Sequence, residues 1–263
     1  MPIVPEFIPR KLLPVFCVLD IPMSMDEEQI TRVNTIMLEM VDLLREKANK
    51  LYSSELRIAV LQSYGTSQWL TDGLISPEDF SWQGLKASGA SNFGNTLNEL
   101  NNKLSREQFL VSEVGFKAPV IIFMSDGEPT DDYESALNKI KSNNKWFQVA
   151  TKIAIAVGDD ANVQVLQKIA GNKEAVIKVD DLETLKKLIR VVSVTATMIG
   201  SKSRTEDDQT DKVISQIVQD MGDGIQVPSE PEISQENNTQ DSSDSWSGQD
   251  VDDSDPWGDS SWD

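Results

Sequence analysis

Histidine is absent from all 263 residues, and cysteine occurs once. Without an imidazole, His-based acid–base catalysis and His-ligated zinc are excluded. Cys17 has no partner for an intrachain disulfide. It lies in an apolar run, where a free thiol is expected to be buried and inert, so nothing demands an oxidising compartment. Bases are scarce, with 24 Lys and Arg against 43 Asp and Glu. That balance argues against general nucleic-acid binding, which needs clustered cations to neutralise phosphates. Long apolar runs are missing too, all falling well short of the roughly 20 residues that span a bilayer. The opening M-P-I-V-P-E-F-I-P-R-K-L-L-P is broken by prolines and shows no signal-peptide n-region and h-region. The expectation is a soluble, cytoplasmic protein with neither membrane nor nucleic acid as partner.

What charge there is falls unevenly. Residues 1–200 carry 26 acids and 21 bases, while 201–263 carry 17 acids and 3 bases. Most of the net −19 therefore sits in the last quarter, which predicts a short lead (1–12), an α/β domain (13–199) and a disordered acidic tail (200–263). Val213, Ile214, Ile217 and Val218 suit one marginal helix there. Three of the six tryptophans, Trp246, Trp257 and Trp262, lie in the last 18 residues. Tryptophan is costly to expose and frequent among binding anchors, so these three are candidate partner-docking residues for a basic, pocketed groove. The other reading is a plain solubilising tail.

Between those ends, apolar runs alternate with helical patterns. Residues 14–19, 56–64, 120–124, 149–157 and 176–179 read as strands, with a short edge strand over 69–76. Residues 26–50, 93–112, 130–147, 161–170 and 181–199 read as helices; in the first, Ile30, Val33, Met37, Met40, Val41 and Leu44 recur at helical spacing. Such alternation predicts an α/β, Rossmann-like doubly wound, mostly parallel sheet with helices on both faces.

Two strands end in an aspartate followed by a helix start: Asp20 in L-D-I-P-M-S-M (19–25) and Asp126 in F-M-S-D-G-E-P-T-D (123–131). A parallel sheet brings such ends to one edge, where ligands bind at a reversal of strand order. Each aspartate alone is explained as a helix N-cap. Two at matching ends, with hydroxyls nearby, make an oxygen-rich cup for a hard divalent cation. Thr130, Asp131 and Asp132 read as helix-start residues.

The order D-I-P-M-S (20–24), G-A-S-N-F-G (89–94) and S-D-G-E-P-T-D (125–131) resembles the von Willebrand factor A (VWA) domain family over residues 13–199. The wording S-D-G-E-P-T-D-D is most similar to its bacterial cytoplasmic, tellurium-resistance-associated TerY-like branch. The resemblance implies a metal ion-dependent adhesion site holding Mg²⁺ or Mn²⁺, with one coordination position left for a partner's carboxylate. By position the implied ligands are Asp20, Ser24, Ser91 and Asp126. Ser91 stands for the family's threonine and keeps the hydroxyl. Pro22 stands where the family has its first ligand serine, which leaves the cup one oxygen short. Either a water replaces that oxygen, since Mg²⁺ normally keeps several, or the site is degenerate and metal-free. The branch also implies a stress-response setting with a protein kinase and a protein phosphatase as partners.

Enzyme readings fare worse. G-A-S-N-F-G-N-T (89–96) mimics a phosphate-cradling loop but has Asn95 in place of the lysine, and no strong strand directly precedes it. A phosphoryl-accepting Asp20 would want a second acid where Pro22 stands, and Cys17 has no base to activate it. The expected function is a non-enzymatic protein-interaction module. The alternative is a Mg²⁺-dependent phosphoryl-transfer or hydrolytic enzyme using Asp20 and Asp126.

Overall fold

The computed structural model describes residues 10–52, 54–171 and 176–178, together with 185, 186 and 188. The first apolar run becomes β1 (Lys11–Asp20), buried from Leu13 onward. Six residues further on begins α1 (Glu27–Ala48), whose start is fixed by a reciprocal capping box. The Asp26 carboxylate accepts from Gln29 N at 2.8 Å, and Gln29 Oε1 accepts from Asp26 N at 2.9 Å. Acids in its first turn and Arg45 and Lys47 in its last both suit the helix dipole. The chain then forms β2 (Ser54–Ser63), β3 (Ser67–Trp69), α2 (Phe93–Lys103), β4 (Val120–Ser125), α3 (Tyr133–Asn143), α4 (Lys145–Val149), β5 (Thr151–Ala156), α5 (Val163–Ala170) and β6 (Val176–Lys178).

The strands form one sheet in the order β3-β2-β1-β4-β5-β6, parallel except for β3. The doubly wound α/β architecture expected from the alternation is therefore present. Side-chain parity divides the core. Leu13, Val15, Cys17 and Leu19 of β1 face one layer with Val33, Met37, Met40 and Leu44 of α1, to which Leu185 and Leu188 add. Phe16 and Val18 face the other, with Phe93 and Leu97 of α2, Leu137 and Ile140 of α3, and Leu166 and Ile169 of α5. Cys17 is buried, which pushes its thiol up to about 12 and leaves it inert.

Several boundaries differ from the sequence reading. The edge strand is β3 at Ser67–Trp69 rather than 69–76, because Gly65, at φ 90°, turns the chain tightly enough for Ser67 to pair with Ser63. Within 70–76, Leu70 N donates to Val60 O at 2.8 Å and an isolated Ile75–Ile58 bridge meets the sheet. The helix expected over 93–112 stops at Lys103, and the one expected through Phe147 breaks into α3 and α4. One residue accounts for both. Asn144 Nδ2 donates to the Asn101 and Leu104 carbonyls at the end of α2, at 3.2 and 3.1 Å. Its Oδ1 accepts from Phe147 N at 3.0 Å and so caps α4. Because α4 runs to Val149, β5 begins at Thr151 rather than 149. The helix expected over 181–199, the marginal helix at 213–218 and the acidic tail lie outside the described residues, apart from 185, 186 and 188.

Candidate functional site

The strand order reverses direction at β1, whose two neighbours β2 and β4 lead away to opposite sides. At its C-terminal end, register does the positioning. Asp20 pairs with Ser63 of β2, and Leu19 pairs with Met124 of β4, so Asp20 stands beside Ser125. Asp20, Ser63 and Ser125 share the parity of Phe16, Leu61 and Phe123, so all three side chains turn to the α2–α3 face of the sheet. A carboxylate and two hydroxyls thus line up across three adjacent strands.

Loops complete the arrangement. Ser91, just ahead of α2, donates to Asp20 Oδ2 at 2.7 Å, and Ser125 donates to the same oxygen at 2.9 Å. Asp20 Oδ1 and Ser63 Oγ are both buried with no hydrogen-bond partner. Asp126, only 6% exposed, accepts from Ser24 Oγ at 3.1 Å and from Glu128 N at 3.1 Å. The four residues named as metal ligands from the sequence are therefore gathered at one edge as two linked pairs, Ser91–Asp20 and Ser24–Asp126. Burial, with Asp126 adding a smaller repulsion, pushes the Asp20 carboxyl up to about 7 against the lowering effect of the Ser91 and Ser125 hydroxyls. Among the described residues no three His, Cys, Asp or Glu side chains form a metal-holding group, so any cation here relies on hydroxyls beside the two carboxylates.

The loops are pinned to one another. Met23 N donates to Gly89 O at 2.9 Å and Ser88 N to Ile21 O at 3.1 Å. Gly89 has φ 65° and lies so close to the Tyr64 carbonyl that any Cβ would overlap it. Pro22 closes the turn around Ser24, its carbonyl accepting from Met25 N at 3.1 Å. Thr130 donates to Ser91 O through both its N–H (2.8 Å) and its hydroxyl (3.0 Å).

A match to the von Willebrand factor type A domain model extends over residues 15–191. The chain belongs to that family. VWA domains typically mediate protein interactions or metal-dependent adhesion. No curated protein matches the chain by sequence. Among solved structures, the proximal thread matrix protein 1 of the mussel byssus is similar at 17% identity and a TM-score of 0.50, over 71% of this chain and 48% of its own. A von Willebrand factor type A protein from Catenulispora acidiphila is similar at 16% identity and the same TM-score, over 71% and 43%. The chain thus spans less than half the length of either, and at such identities the likeness shows the fold.

Within this VWA domain the sequence reading missed three contributors. Ser125 opens the S-D-G-E-P-T-D motif just past the strand expected over 120–124, and only the register reveals that it faces Asp20. Ser63 was hidden for the same reason. Asp131 was read as a charge at its own helix start, yet its carboxylate accepts from Gly94 N (2.9 Å) and Asn95 N (3.1 Å) and so caps α2. That contact also occupies the helix start that mimicked a phosphate loop. Asp132 does cap its own helix, accepting from Ser135 N at 3.2 Å. Among the described residues no helix is long and apolar enough to cross a membrane. Trp246, Trp257 and Trp262 lie outside the described residues.

Proposed function

We propose that this VWA domain is a non-enzymatic protein-interaction module that captures a partner's carboxylate through a divalent cation, Mg²⁺ or Mn²⁺, at the β1–β4 edge. Asp20, Ser24, Ser91 and Asp126 would hold the ion, and its chemistry would be that of a hard Lewis acid offering one position to a partner oxygen. The observation that carries this reading is Asp20 Oδ1. A carboxylate oxygen that is buried and unpartnered is costly unless a cation or proton answers it, and the groups around it are all oxygens. Pro22 supplies no side-chain oxygen, so a water takes that place and affinity is reduced. A phosphoryl acceptor is disfavoured because Asp20 is 1% exposed and its Oδ2 already accepts two hydroxyls.

The finer parts of the proposal are a cytoplasmic location and a TerY-like role in a bacterial stress-response system with kinase and phosphatase partners. They are supported only by the wording of residues 125–132, and neighbouring genes for a kinase and a phosphatase would test them. In the same proposal the acidic tail carries a second docking site through Trp246, Trp257 and Trp262.

Thermal unfolding with Mg²⁺ and with a chelator tests the metal. The expected result is a higher midpoint with Mg²⁺ that Asp126→Ala abolishes. A generic phosphatase substrate tests the enzyme alternative; Mg²⁺-dependent turnover lost in Asp20→Ala would overturn the module reading.

A further inference from the structure

The edge that surrounds the candidate metal position is acidic on the loops from β1, β4 and β5. Asp26, Glu27 and Glu28 open α1, Glu128 and Asp132 follow β4, and Asp159 and Asp160 follow β5; all seven are exposed. Bases are fewer on the same elements. Arg32 is 3.4 Å from Glu28 and Lys178 is 3.2 Å from Asp159, while Lys86 lies in the loop ahead of α2. Glu27, Glu128 and Asp160 form no ion pair among the described residues; Gln29 Nε2 reaches Asp160 at 3.5 Å. At the centre lies Asp20, 1% exposed, with its unpartnered Oδ1. In the loop that follows it, Met23 is 72% exposed, the one large apolar side chain exposed on these loops among the described residues.

These features pull a ligand acid in two directions. A cation at the centre attracts a carboxylate, but the rim repels it within the Debye length of about 8 Å at physiological ionic strength. A partner that brings its acid among further acids meets that repulsion undiminished. One that flanks the acid with Lys or Arg pairs those bases with the rim as the carboxylate reaches the metal. Resting on the adhesion-site reading above, we infer that the partner presents a single Asp or Glu flanked by basic residues, with an apolar side chain to lie against Met23. The flexible thioether suits such a contact because it adapts to varied shapes.

The test uses the full chain and an array of synthetic peptides centred on Asp. Their flanks are varied among Lys/Arg, Gly/Ser and Asp/Glu, and Asn-centred controls are included. Binding is read in Mg²⁺ and in a chelator, with Mg²⁺ binding by the same protein measured separately by calorimetry. The expected result is Mg²⁺-dependent retention of base-flanked Asp peptides, about tenfold or more above acid-flanked ones and weakening steeply with salt. A Glu27→Lys/Glu128→Lys double variant, its folding checked by its unfolding midpoint, should lose most of that preference. Met23→Ser should lower retention of peptides with an apolar neighbour and leave Mg²⁺ binding unchanged. If Mg²⁺ binds but flanking charge makes no difference, or Asp and Asn centres are retained equally, the inference fails while the metal reading stands. If Mg²⁺ does not bind, both fail.

Discussion

Asp20 is held between two demands: burial favours its protonated form, while the Ser91 and Ser125 hydroxyls and a cation would favour the carboxylate. In metal-free protein its pKa lies near 7, above the value of about 4 for an unfolded aspartate. The folded state then holds the extra proton, so this group's stabilisation is fully present below about pH 4 and is lost as pH rises to about 7. Denaturant unfolding in a chelator should show that loss, and Asp20→Asn should remove it. Metal competes for the same oxygens, so Mg²⁺ affinity should rise with pH up to about 7 and then level off. Pro22 provides the complementary test. Pro22→Ser returns a hydroxyl to the turn around Ser24 and should tighten Mg²⁺ binding about tenfold, the scale seen when a site's supporting groups change. An unchanged affinity would mean that the turn does not face the ion.

At the scale of elements, Asn144 and Asp131 join helices that sequence spacing treats separately. Asn144→Ala leaves the Asn101 and Leu104 carbonyls at the end of α2 and the Phe147 N–H at the start of α4 unanswered, and should cost about 2 kcal/mol in urea unfolding with the metal site intact. Asp131→Ala uncaps α2 directly behind Ser91 and should cost about 1 kcal/mol; it should also weaken Mg²⁺ binding, because Ser91 is positioned by that loop. Buried parallel strands announce themselves as apolar runs, and α1 announces itself by its period and capping box, so the fold was largely legible. Asp20, Asp126, Ser24 and Ser91 were legible through their motif spacing. Ser63 and Ser125 were not, because a hydroxyl at a strand end gains meaning only from its neighbour in the sheet. The helix ends at Lys103 and Asn143 were equally hidden. They are set by a side chain about 40 residues distant in one case and by a competing cap in the other, and neither leaves a local signature.

For the molecule as a whole, charge is the organising quantity. The domain region carries few net charges, and the stretch from 201 to 263 carries most of the −19. The proposed tail anchors predict that the full chain and a Trp246/Trp257/Trp262→Ala triple variant recover different amounts of partner in a pull-down, with the variant recovering less. Equal recovery would reduce the tail to a solubilising segment. Whether the β1–β4 edge holds a cation decides what this domain can capture. Isothermal titration of Mg²⁺ into the full chain is the most direct measurement. Saturable binding at a single site is expected, and none in Asp126→Ala. No heat from the unaltered protein together with no thermal shift, or identical titrations of the two proteins, would contradict it.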